Sequence, residues 1–200
     1  MRALANVALG GTVSVWLLIA IIVVGTGLLS AMPAWATPLI LLGLVSAVLL
    51  AFWRYHPFRE WSLATNVKTY VAIHISRFVG FYFLVLNARG ELPEEFVVGG
   101  WGDIIVACGA VGVVLYLPKA ENFRWWSLLA WNVIGLADIL LVVGTAARLF
   151  FFDPESVSVL REFPLGLLPT FLVPIIISTH VVMLVGLRAD TPAPGEDGQV

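Results

Sequence analysis

From Ala3 to Trp53 the chain has no Asp, Glu, Lys, Arg or His. A stretch this long without charge exceeds one membrane span and suffices for two. A helix rising 1.5 Å per residue crosses ~30 Å of hydrocarbon in about 20 residues. The stretch divides at Pro33 and Pro38, which break a helix, with Trp35 between them as an interfacial anchor. The expected spans are residues 7–30 and 38–53, and four further apolar stretches are expected at 63–87, 96–117, 125–147 and 165–187. Runs such as WLLIAIIVVGTGLL lack the alternation of a membrane β-strand, and lipid offers an unpaired backbone no partner. The expected fold is therefore all-α: a six-helix transmembrane domain over residues 1–188 and a disordered tail, 189–200, rich in Pro, Gly and acid.

Composition narrows the function classes. Hydrophobic residues make up 60% of the 200 and charged residues 12%, against ~25% charged in soluble proteins. That excludes a soluble globular enzyme. The net charge of −2 gives no basic footprint for nucleic acid. One cysteine, Cys108, excludes a disulfide framework and a thiolate metal cage. Orientation is read from Lys and Arg. With six spans, Arg2, Arg54, Arg59, Lys68, Lys119, Arg124 and Arg188 fall on one side, and Arg89, Arg148 and Arg161 on the other. Both termini are then expected in the cytoplasm of a bacterial inner membrane. The outer loops are acidic, with Glu91, Glu94 and Glu95 in one and Asp153, Glu155 and Glu162 in the other. Ala34-Trp35-Ala36 has the form of a signal-peptidase site, but the apolar run before it is long for a signal sequence, so six spans are kept.

Ionisable and amide groups at membrane depth are costly, and each invites a functional hypothesis. They are His74 and Arg77 in span three, Asp103 in span four, Asn132 and Asp138 in span five, and His180 in span six. Counted from the outer span ends, His74, Asn132 and His180 lie roughly 21–23 Å deep, Arg77 and Asp138 about 14–17 Å, and Asp103 about 10 Å. Arg77 and Asp138 form the expected ion pair, since an arginine cannot shed its proton in lipid. His74 shares a helix face with Arg77 three residues on. His74 and His180, at one depth on two helices, are also candidate axial ligands of a b-type haem. The competing expectation is that each histidine bonds a carbonyl or a hydroxyl such as Ser76 or Ser178. Asp103 is expected to cap span four or face an outer vestibule.

Other features are read structurally. Pro174 withholds a donor from the Thr170 carbonyl and should kink span six. Gly102 and Gly109 lie on one face of span four, open to a neighbouring backbone. Cys108 reads as a packing residue and His56 as a solvated residue in the YHPFREW loop. Asp153-Pro154 reads as the cap and first residue of a short surface helix running to about Arg161.

WNVIGLADI in span five, LPTFLVPIIISTH in span six and GELPEEF with GWGD before span four resemble a group of small uncharacterised bacterial multi-pass membrane proteins. The likeness covers about residues 74–187 and implies no activity. It implies only that Trp131, Asn132, Asp138, Pro174 and His180 belong to one arrangement. The expected function is a small permease or proton-linked carrier with a polar cavity among spans three, five and six. The alternatives are a single-haem electron carrier and a structural or assembly subunit of a membrane complex. Membrane lipids, and a homodimer or complex partner, are the expected neighbours. No serine–histidine–aspartate order or HExxH motif supports an intramembrane hydrolase.

Overall fold

A computed structural model describes residues 2–116 and 121–189. Lys119 and the tail beyond Ala189, expected to be disordered, lie outside the described residues. The elements are α1 (Arg2–Gly25), α2 (Leu28–Ala31), α3 (Ala36–Arg54), α4 (His56–Leu63), α5 (Val67–Ile73), a 3-10 turn (His74–Val79), α6 (Gly80–Ala88), α7 (Glu95–Tyr116) and α8 (Glu121–Phe152). A second 3-10 helix (Pro154–Arg161), a π turn (Leu168–Leu172) and α9 (Val173–Ala189) follow among the described residues. Among the described residues there is no strand. Six segments are long and apolar enough to cross a membrane: Asn6–Gly25, Ala36–Arg54, Val67–Ala88, Glu95–Tyr116, Arg124–Phe152 and Leu168–Ala189.

The departures from the expected boundaries have local causes. Span one stops at Gly25 rather than near Ser30, because Gly27 turns the chain at φ 74°, a left-handed conformation open to glycine. Span three does not begin at Leu63. Residues 56–63 form the separate helix α4, with Pro57 in its first turn, and Asn66 then starts α5 by accepting from the Lys68 amide at 2.9 Å. The short helix after Asp153 forms as a 3-10 helix, but the Asp153 side chain makes no capping bond.

Span six begins with the π turn that precedes Pro174. The Thr170 carbonyl, which Pro174 cannot serve, accepts a hydrogen bond from Trp16 Nε1 at 2.9 Å. This bond, together with the edge-on contact of Trp16 with Phe171, holds α1 against the bundle. Only 11% of span one is buried, against 56% of span six, so α1 is a peripheral helix and α9 a central one. Trp16→Phe should therefore keep the fold yet lower stability by about 1 kcal/mol, the net worth of one hydrogen bond. A thermal unfolding curve in detergent measures it, and an unchanged midpoint would show that this contact does not hold α1.

α7 packs against α5, the first 3-10 turn, α6 and α8, while α9 packs against α3 and α8. Glycines set the closest approaches. At Gly80 and Gly100 the backbones of α6 and α7 meet: a Cβ on Gly80 would strike the Gly100 carbonyl oxygen and lie 2.8 Å from Asp103 Cβ. Gly102 and Gly109 do not receive a backbone, as expected from their spacing, but side chains of α8. A Cβ on Gly102 would overlap Asp138 Oδ1, and one on Gly109 would lie 2.7 Å from Trp131 Cδ1. Two positions seven apart on α7 thus seat two positions seven apart on α8. Cys108 is exposed on α7 and packs against no core.

Candidate buried charge cluster

The 3-10 turn carries both His74 and Arg77. At three residues per turn, residues i and i+3 eclipse, so the two side chains leave the same face one above the other. Both are fully buried. Arg77 makes three polar contacts to two other helices. Its Nε donates to Asp103 Oδ1 of α7 at 2.6 Å, its Nη1 donates to the Gly135 carbonyl of α8 at 2.8 Å, and its Nη2 donates to Asp138 Oδ2 of α8. A buried guanidinium requires such a set, because an unpaired one would carry a large desolvation cost.

Asp103 departs from the sequence expectation. It neither caps span four nor faces a vestibule. α7 begins at Glu95, so Asp103 is two turns inside the helix and points at Arg77. The arginine therefore meets two carboxylates rather than one. They are unequal: the Asp103 side chain is 3% exposed and that of Asp138 14%.

One helical turn away the histidines meet. Their ring centroids lie 4.2 Å apart at an interplanar angle of 54°. His180 Nδ1 donates to Asn132 Oδ1 at 2.6 Å, and Asn132 Nδ2 donates to the His180 carbonyl at 3.0 Å. His74 Nε2 bonds Thr179 Oγ1 at 3.2 Å. Trp131 meets the His74 ring edge-on at 5.1 Å, anchored by its own Nε1 donating to the Val106 carbonyl at 3.1 Å. Neither serine named beforehand serves a histidine: the Ser76 hydroxyl donates to Ile73, and Ser178 Oγ is buried with no protein partner. His56 faces Glu60 at 3.5 Å on the exposed side of α4.

The histidine geometry does not fit a bis-histidine haem. An imidazole nitrogen sits about 2 Å from a transition metal that it ligates. Two rings in line across one iron would then have centroids roughly 6 Å apart, with the porphyrin between them. At 4.2 Å no macrocycle passes between these rings. Among the described residues no group of three or more His, Cys, Asp or Glu is placed to hold a metal ion.

Two small voids lie in the core, and only the smaller adjoins the cluster. One, of about 20 Å³, touches Arg77 and Asp103, which is room for about one water. It shares Phe83, Val142, Leu168 and Val173 with an apolar cavity of about 60 Å³ that reaches Thr37 and Pro38.

The sequence model of a family described as "Domain of unknown function (DUF8737)" matches residues 35–188. The chain belongs to the DUF8737 family. Every residue of the charge cluster and of the histidine group lies inside the DUF8737 match, as do residues 74–187, on which the sequence resemblance rested; α1 lies outside it. No curated protein and no solved structure matches the chain.

Three contributors are not ionisable, and only Trp131 was named from the sequence, through the resemblance. Gly135 gives Arg77 its carbonyl, Thr179 serves His74, and Trp131 closes the histidine pair. A signal for the first was available. Asn132, Gly135 and Asp138 recur every three residues, and so share one face of α8.

Proposed function

We propose that this DUF8737 protein is a small proton-linked carrier of a bacterial cytoplasmic membrane, with both termini in the cytoplasm and a dimer as its working unit. The observation that carries the proposal is the unequal charge of the buried cluster. One guanidinium, unable to release its proton, is held by two carboxylates on separate helices. One carboxylate suffices to neutralise Arg77, so the other is free to gain and lose a proton while the arginine stays paired. The void beside Arg77 and Asp103 has the size of a water molecule and not of a solute. In this conformation a proton is the species that fits, and passage of anything larger requires the helices to part.

The test is proton entry into liposomes that hold the purified protein and a trapped pH indicator, driven by an imposed membrane potential. Entry above protein-free vesicles is expected. Asp103→Asn and Asp138→Asn should each slow it on the order of 100-fold, the usual loss when a positioned proton-transfer group is removed. Wild-type vesicles no leakier than empty ones would overturn the proposal. That result would favour a second reading, an assembly subunit whose charges only specify packing. Its supporting observation is that Arg77 already finds three partners within the chain.

A further inference from the structure

We infer that α1 is a strap on span six, whose Trp16 holds the π turn closed over the void at Arg77 and Asp103. A π turn is a rare single-turn departure from the α-helix. This one, Leu168–Leu172, ends two residues before Pro174. Part of what fixes it is local: the Thr170 hydroxyl donates to the Gly166 carbonyl at 2.7 Å, and the Val173 amide donates to the Leu168 carbonyl. Pro174 has no N–H to give the Thr170 carbonyl. That carbonyl accepts instead from Trp16 Nε1, so one bond that fixes the turn belongs to α1.

α1 bears on this turn along one face. Trp16, Ala20 and Val24 recur every four residues and so point the same way, and Ala20 and Val24 are buried although most of the helix is not. Gly166, which leads into the turn, makes room for this face: a Cβ there would lie 2.7 Å from Val24 Cγ1. Past the end of α1, Arg161 Nη2 donates to the carbonyls of Leu29, at 2.6 Å, and Met32, and Ser30 Oγ donates to the Arg161 carbonyl at 3.0 Å. These contacts all fall on residues 161–171. The other end of α1 is tied to a different element, where Trp61 Nε1 of α4 donates to Asn6 Oδ1 at 2.6 Å.

The same turn walls the buried charge. Leu168 and Leu172 line the void beside Arg77 and Asp103, and Leu168 also lines the apolar cavity. Phe83, Ile139, Val142 and Ile176, which line the void as well, are buried in packed helices. Leu168 and Leu172 are half-buried, and the helix packed on their turn is the peripheral α1. Of the void's walls, the π turn is therefore the one that a weakly held helix can release. α1 adds no group to the charge cluster, which is complete within the family match. When Trp16 lets go, the turn loosens, water enters the void, and Asp103 can trade a proton with it. That last step rests on the proton-carrier proposal; the hold of α1 on the turn does not.

Hydrogen exchange of the full-length protein in lipid nanodiscs, read by mass spectrometry over residues 165–173, tests the strap. Trp16→Phe keeps a ring against Phe171 and removes the N–H. Exchange at the turn should quicken about fivefold, the shift that one hydrogen bond gives a local opening equilibrium, with no change over residues 104–110 of α7. Asn6→Ala frees the other end of α1 and should leave the turn as it was. In the liposome assay Trp16→Phe should speed proton entry by a similar factor. Unchanged exchange, an equal rise in Asn6→Ala, or a rise that extends to α7 would overturn the strap. So would faster exchange without faster entry, where the wild type admits protons. Faster exchange in a protein that admits no protons would keep the hold of α1 on the turn and remove the carrier. Wild-type proton entry with a turn that Trp16→Phe does not loosen would do the reverse.

Discussion

Arg77→Met is expected to cost about 3–5 kcal/mol, or to prevent folding, because it leaves two carboxylates buried without their cation. The companion variant separates this from a general intolerance of the site. Arg77→Met combined with Asp103→Leu and Asp138→Leu removes every charge and should recover most of the loss, since a buried ion group replaced by apolar residues is often neutral or stabilising by about 1–4 kcal/mol. Among single changes at the carboxylates, Asp103→Leu should be worse than Asp138→Leu. Asp103 is the more enclosed of the two, and either one left behind still pairs with Arg77. Unfolding midpoints in one detergent rank all four variants. A triple variant as unstable as Arg77→Met would mean that shape rather than charge governs the site.

Gly80→Ala should rank second, at about 1–3 kcal/mol or more. The added methyl meets the Gly100 carbonyl oxygen, a backbone atom with no rotamer to yield. Relief requires α6 and α7 to separate, and that would also move Asp103 away from Arg77, since Asp103 Cβ lies against the same glycine. Gly112→Ala is the control: a Cβ there meets nothing within 4 Å, so the same change should be nearly silent. Equal melting of the two variants would contradict the close crossing.

The spans were legible because a charge-free run and its flanking prolines and tryptophans report directly on hydrocarbon thickness. Helix azimuth was not legible. Gly99, Gly100 and Gly102 resemble a helix boundary, so Asp103 beside them read as a cap. In the folded chain the helix starts at Glu95 and the glycines make room for α6 and for Asp138. Counting depth along helix axes also placed Asp103 well above Arg77. A long arginine side chain spans such a difference, so carboxylates on different levels reach one guanidinium. The histidines were legible as a pair on two helices, but their ring spacing, which decides against a haem, depends on how closely the helices approach.

The tightly wound segment at residues 74–79 has a geometric corollary. Wound as an ordinary α-helix, those six residues would advance roughly 3 Å less along the axis, and Arg77 would sit about 60° round from His74. The guanidinium would then swing off the line joining its two acids, and everything from Gly80 onward would be drawn toward the opposite leaflet. The pitch of half a dozen residues thus sets both where the positive charge aims and how far span three reaches.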